Sequence, residues 1–79
     1  MNNLEKLNAV FVEIFHVEIN QLNDNFNIET VPNWDSVTQL SLVTAIEDEF
    51  NIMLDTDDIL DFKSYSIAKE ILKKYQIEL

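Results

Sequence analysis

The chain has 79 residues, with 15 Asp and Glu against 5 Lys and no Arg, so its formal net charge is −10. This length allows a single domain over residues 1–79 and excludes enzymes that need a deep cleft between lobes. A hydrophobic fraction of 47% is too high for a disordered acidic tail. The negative charge predicts basic protein surfaces as partners and argues against nucleic acid and anionic lipid.

Several classes of site and location are also excluded. Cysteine is absent, so the chain has no disulfide and no thiolate metal site, and one histidine, His16, cannot form a multi-histidine site. The first residues lack the basic and apolar regions of a signal peptide. The longest uncharged run, 36–46, has 11 residues and is too short to span a bilayer. We therefore expect a cytoplasmic chain with no metal site and no membrane insertion. We also expect it to be a monomer.

The first half of the chain predicts one helix and a long connection. Residues 3–17 carry apolar side chains at helical spacing: Leu4, Leu7, Phe11, Ile14 and Phe15. Residues 18–34 form a connection that is long for a small domain. We expect its apolar side chains to fasten it to the helices: Ile19, Leu22, Phe26, Ile28, Val31 and Trp34.

The second helix has clear boundaries in the sequence. It should start at Asp35 or Ser36, with Asp35 as the N-cap, and should end near Phe50. Asn51 suits the position after the helix, where a left-handed conformation is common. Because glycine is absent, we expect turns with positive φ to use Asn or Asp.

The last part of the chain predicts a short helix and a longer one. Residues 55–60 suit a short helical turn, and a final helix should follow Ser64, a candidate N-cap. Its apolar spacing is carried by Tyr65, Ala68, Leu72 and Tyr75, and Lys69, Lys73 and Lys74 suit its negative end. No segment shows sustained alternation. The sequence predicts an all-α, small four-helix bundle with three longer helices, one short helix and a long first loop.

The second helix has two distinct faces. Its core face is predicted to consist of Leu42, Val43, Ile46 and Phe50. The other face combines aliphatic, hydroxyl and acidic side chains: Val37, Leu40, Ser41, Thr44, Glu47 and Asp48. One interpretation is that Val37 and Leu40 are ordinary exposed aliphatics. The other is a docking face with an apolar centre and an acidic border.

The acidic residues and the hydroxyls do not form a recognisable metal or catalytic motif. Residues 1–62 hold 13 acids and 1 Lys, which is the composition of a solvated surface. A calcium loop starting at Asp55 fails the EF-hand pattern, because Ile59 and Leu60 occupy a ligand and a turn position. A triad of Ser36, His16 and an acid lacks a glycine-flanked nucleophile and an oxyanion loop.

One motif resembles a known family. The run Trp34-Asp35-Ser36-Val37, followed by the acidic stretch that ends at Phe50, resembles the acyl carrier proteins along essentially the whole chain. The resemblance implies that Ser36 receives 4′-phosphopantetheine from coenzyme A, with Asp35 and Val37 supporting the motif. Acyl groups would be carried as thioesters on that arm. The chain would then not be an enzyme, and no residue would be catalytic.

The resemblance also implies partners and further site residues. Partners would be a phosphopantetheinyl transferase and an acyl- or amino-acid-activating enzyme, acyltransferase or ketosynthase with a basic docking surface. Docking would involve Val37, Leu40, Ser41, Thr44, Glu47, Asp48, Asp57 and Asp58. Core residues that could contact an acyl chain would be Leu42, Val43, Ile46, Phe50, Ala68 and Leu72.

The sequence departs from the family pattern at several positions. Val37 replaces the usual Leu, and Asn33 stands where Gly is common. Thr38, Ser41 and Thr44 make the exposed helix face less acidic than in carriers of housekeeping fatty-acid synthesis. These features are similar to stand-alone carriers of specialised pathways. Two alternatives stay open: an aminoacyl or peptidyl carrier, and an unmodified acidic adaptor that only binds proteins.

Overall fold

The first helix, α1, spans Asn3–Phe15 in a computed structural model that describes residues 2–79. It starts with a capping box: the Asn2 side chain accepts a hydrogen bond from the Glu5 backbone N–H over 2.8 Å, and the Glu5 carboxylate accepts one from Asn2. His16 ends the helix with a φ of 57°, so α1 stops two residues before the predicted end.

The other helices follow the predicted boundaries closely. Helix α2 spans Ser36–Phe50, the short α3 spans Thr56–Asp61 and α4 spans Tyr65–Lys74. Ser64 caps α4, since its hydroxyl accepts the Ile67 backbone N–H over 2.9 Å. Residues 2–79 contain no β-strand, only one isolated bridge. The all-α fold of three longer helices, one short helix and a long first loop is therefore confirmed.

Among residues 2–79 of this chain without glycine, three adopt positive φ values: His16 at 57°, Asn51 at 54° and Gln76 at 65°. Each follows or closes the end of a helix. Asn51 fits the expectation that Asn or Asp would fill such positions, but His16 and Gln76 do not. At Gln76, hydrogen bonds after α4, such as Ile77 N–H to the Leu72 carbonyl at 3.0 Å, hold the turn in place.

The core lies between α1, α2 and α4. Leu42, Val43 and Ile46 of α2 are buried, as predicted, and they belong to the same hydrophobic core as the buried Ala68 and Leu72 of α4. Phe50 is a correction to the predicted core face, because it is only half-buried. As the last residue of α2, Phe50 lies where the bundle ends and only partly packs against the core.

The long first loop is fastened mainly by aromatic side chains. Phe26 and Trp34 are buried, and their rings lie 5.3 and 4.8 Å from that of Phe15. Val31 is also buried, and Leu22 is partly buried. The expectation fails at two isoleucines, Ile19 and Ile28, which are 63% and 41% exposed. Ile19 belongs to a single 3₁₀ turn, Ile19–Gln21, on the surface of the domain.

The loop is also joined to the start of α4 by backbone hydrogen bonds. The Tyr65 N–H donates to the Phe26 carbonyl, and the Ile28 N–H donates to the Lys63 carbonyl, each over 2.9 Å. Asn27 and Ser64 lie opposite each other as an isolated antiparallel bridge. The bridge therefore sets Ile28 beside Lys63, at the end of the molecule where α2 begins.

Asp58 is a buried carboxylate that joins α3 to the end of α4. It accepts hydrogen bonds from Lys74 Nζ at 2.5 Å and from the Tyr75 hydroxyl at 2.6 Å. The Tyr75 oxygen in turn accepts the Asp55 backbone N–H over 2.9 Å. Asp58 is only 4% exposed, so its predicted place on an acidic docking surface was wrong. Its carboxylate is turned inward because Lys74 and Tyr75 satisfy it there.

Candidate functional site

Ser36 is the first residue of α2 and is exposed. The preceding residue, Asp35, performs the capping: its carboxylate accepts the Thr38 backbone N–H over 2.8 Å. That hydrogen bond lowers the pKa of Asp35, because it stabilises the charged form of the carboxylate. Because Asp35 takes the capping role, the Ser36 hydroxyl is left to face solvent on a fixed backbone.

This position suits a covalent phosphate ester. A group attached to the Ser36 oxygen would displace no core side chain, because the residue is exposed. The first turn of a 15-residue helix offers backbone N–H groups and the positive end of the helix dipole to an anion. The arrangement can therefore accept a large phosphorylated substituent without disturbing the fold.

A groove of about 350 Å³ begins at Ser36 and runs between the start of α2, α3 and the first loop. Its walls are largely apolar, and one cation lies at its edge. The lining residues are Ile28, Asp35, Ser36, Gln39, Ile59, Leu60 and Lys63. Ser36 thus stands at the side of a surface channel and not over an open path to the core.

Gln39 crosses the base of this groove. Its side-chain N–H donates to the Ile59 carbonyl over 3.1 Å, and its oxygen accepts the Trp34 indole N–H over 2.5 Å. Trp34 is buried, so its N–H depends on this partner. One half-buried side chain therefore connects the first loop, α2 and α3.

The predicted docking face of α2 is largely exposed. Val37 and Leu40 are 76% and 65% exposed. Leu40 lines a shallow cavity whose other residues are Ser41, Thr44, Ala45 and Asp48. Asp57, on α3, is exposed as well. The structure thus places exposed apolar side chains in the first turns of α2 and exposed polar and acidic side chains further along the same helix.

Glu47 differs from its neighbours on that face. Its carboxylate accepts the backbone N–H of the buried Leu54 over 2.9 Å, and its side chain is half-buried. Glu47 therefore holds the segment between α2 and α3 in place. Because this hydrogen bond satisfies a buried backbone N–H, we expect Glu47 to contribute to stability as well as to the surface of α2.

Gln39, Lys63 and Ile28 were not identified from the sequence. A signal for Gln39 was present, since it precedes Leu42, Val43 and Ile46 by three, four and seven residues and so lies on the same helix face. A glutamine on an apolar face needs polar partners. No comparable signal existed for Lys63, which a long-range bridge brings next to the groove.

The chain matches none of the family models and none of the curated proteins with which it was compared. Over residues 2–79, no helix is long and apolar enough to cross a membrane. The same residues contain no group of three acidic or histidine side chains arranged to hold a metal ion. The case for a function therefore comes from the residues around Ser36.

Proposed function

We propose that this chain is an acyl carrier protein, with 4′-phosphopantetheine attached to Ser36 and acyl or aminoacyl groups carried as thioesters on that arm. The observation that carries the proposal is the exposed Ser36 at the first position of α2, with its capping taken over by Asp35. The carrier has no catalytic residues of its own, and partner enzymes perform each reaction.

The attachment is a phosphoryl transfer that a partner catalyses. The Ser36 oxygen forms a bond to the phosphorus of coenzyme A that bears the pantetheine, and the pyrophosphate bond breaks. The nucleotide half leaves, and the hydroxyl proton passes to a base of the transferase. The arm supplies a thiol, which this cysteine-free chain otherwise lacks.

The exposed face of α2 supports repeated, short-lived encounters with partners. A carrier must leave one enzyme for the next, so its contacts should be small and steered by charge. Val37 and Leu40 offer the apolar contact, and Ser41, Thr44 and Asp48 line the shallow cavity beside Leu40. Asp57 adds an exposed acid on α3. With a net charge of −10, the domain is attracted to basic surfaces near the partner's active site.

The test is modification by a broad-specificity phosphopantetheinyl transferase with coenzyme A and Mg²⁺, followed by intact mass. The wild type should gain one phosphopantetheine, and Ser36→Ala should gain none while keeping its helical circular dichroism. Ser66→Ala is the control, since Ser66 is a serine of α4 and lies outside the docking face of α2. A wild type left unmodified by several transferases would overturn the proposal.

The exposed Val37 and Leu40 also favour a second candidate, an unmodified acidic adaptor that only binds proteins. The mass of the protein isolated from its own source separates the two, because the adaptor carries no arm. For a modified chain, loading by an amino-acid-adenylating enzyme would indicate an aminoacyl carrier. Loading by an acyltransferase or ketosynthase would indicate a fatty-acid, polyketide or other specialised acyl pathway.

A further inference from the structure

Gln39 occupies a position where an apolar side chain would complete the core face of α2. It is half-buried, and both ends of its amide are engaged, one with Trp34 and the other with the Ile59 carbonyl. Opening a path between α2 and α3 would break the hydrogen bond from Gln39 to the Ile59 carbonyl. A chain that displaced the Gln39 side chain would also leave the N–H of the buried Trp34 without a partner, which is costly. The polar bridge therefore opposes entry of a chain into the core.

The residues beneath the bridge are fully packed. Leu42, Ile46 and Leu72 have no exposed surface, and none of them lines the groove beside Ser36. The groove itself offers apolar contact on the outside of the molecule, from Ile28, Ile59 and Leu60. Ile28 and Leu60 are 41% and 64% exposed, so a ligand in the groove would cover apolar surface that now faces water.

Lys63 places a positive charge at this groove. It is the one basic residue among the groove's lining residues, in a domain of net charge −10. Within residues 2–79 Lys63 makes no ion pair, whereas Lys73 pairs with Glu70 and Lys74 pairs with Asp58. Its backbone is fixed by the hydrogen bond from Ile28. A phosphodiester on Ser36 would bring a negative charge to the same groove, where Lys63 can oppose it.

We propose that the phosphopantetheine arm and the first carbons of its cargo lie in this outer groove, with Lys63 binding the phosphodiester and the Gln39 bridge keeping the cargo out of the core. This inference rests on the proposed attachment at Ser36. Two observations favour the arm as the occupant of the groove. The groove begins at Ser36, to which the arm is attached, and its one cation, Lys63, suits the single negative charge of a phosphodiester.

The test uses the protein loaded with hexanoyl-phosphopantetheine from hexanoyl-coenzyme A, with isotope-labelled Ile, Leu and Val methyl groups. Nuclear Overhauser contacts from the arm and the hexanoyl chain should reach Ile28, Ile59 and Leu60. Contacts from the hexanoyl chain to Leu42 or Ile46 in the wild type would overturn the proposal, as would an arm without contacts to the groove. If intact mass shows no modification at all, the proposed function fails, and this inference fails with it.

Two variants separate the two parts of the proposal. Lys63→Gln should weaken the arm-to-groove contacts about twofold to fivefold, because it removes one partly exposed ion pair. The matched control, Lys73→Gln, should leave them unchanged. Gln39→Met removes the polar bridge while keeping a long side chain, and it should allow hexanoyl contacts to Leu42 and Ile46. Unchanged arm-to-groove contacts in Lys63→Gln would refute the role given to Lys63. The absence of hexanoyl contacts to Leu42 and Ile46 in Gln39→Met would refute the role given to Gln39.

Discussion

Lys74, at the end of α4, donates to Asp58 of α3 over 2.5 Å, and the carboxylate that receives it is buried. This hydrogen bond shifts the pKa values of both groups: it lowers the pKa of Asp58 and raises the pKa of Lys74. This pair and Tyr75 attach the short α3, one wall of the groove beside Ser36, to the end of the bundle.

The lowered pKa of Asp58 predicts a loss of stability in acid. As the pH falls, the unfolded chain binds this proton first, so acid favours unfolding. The contribution is fully present above the ordinary Asp pKa of about 4 and is lost as the pH falls through the lower folded value. Asp58→Asn should therefore be less stable than the wild type at neutral pH, and the gap should narrow in acid. Denaturant titrations at several pH values measure this, with the exposed Asp57→Asn as control.

Leu40 and Ile46 should respond in opposite ways to truncation. Ile46 has no exposed surface, so Ile46→Ala should cost about 2–5 kcal/mol as a cavity in the core. Leu40 is 65% exposed, so Leu40→Ala should leave the melting temperature nearly unchanged and slow modification or acyl loading instead. The measurements are thermal melts beside loading kinetics. A Leu40→Ala variant that unfolds as readily as Ile46→Ala would contradict the placement of the docking face.

Substitutions at the adjacent residues Asp48 and Glu47 should have different effects: those at Asp48 on partner binding and those at Glu47 on stability. Asp48→Lys should slow loading by a basic partner, with an effect that fades as salt rises, and should leave the fold stable. Glu47→Ala should cost about 1–3 kcal/mol, because the backbone N–H of the buried Leu54 loses its acceptor. Glu47→Gln keeps an acceptor and should recover most of that loss. Denaturant unfolding and loading rates across a salt series decide both points.

The excess of acidic residues predicts a dependence on salt. Thirteen acids among residues 1–62 repel one another in the folded state. Moderate NaCl screens this repulsion, so the melting temperature of the wild type should rise from low to moderate salt. A melting temperature that falls over that range would show that attractive pairs outweigh the repulsion.

His16 offers a stabilising substitution. It holds a φ of 57°, a conformation that costs a residue with a Cβ about 1–2 kcal/mol and costs glycine little. His16→Gly should therefore stabilise the domain by about 1 kcal/mol in denaturant unfolding. Asn51→Gly should change stability less, since asparagine tolerates this conformation better. Equal effects at the two positions would contradict this account.

Local signals in the sequence were enough for the fold but not for the site's surroundings. Asp35, Ser64 and Asn51 marked helix ends because caps act within one turn. The core face of α2 followed from spacing alone, apart from Phe50, the last residue of the helix, which is only half-buried. Asp58 and Glu47 looked like solvated acids, since their partners lie in other segments: Lys74 is 16 residues away and Leu54 lies in the next connection. Lys63 reaches the groove through the same kind of distant pairing.

The bridge between Asn27 and Ser64 has a consequence for synthesis on the ribosome. The Phe26 carbonyl and the Ile28 N–H find their backbone partners in Tyr65 and Lys63, so this part of the first loop cannot pair while the nascent chain ends before them. Helices α1 and α2 can form earlier, but the aromatic cluster around Phe11 lacks Tyr65, whose ring lies 5.3 Å away. The groove beside Ser36 is complete only after Lys63 has left the exit tunnel and its backbone has paired with Ile28.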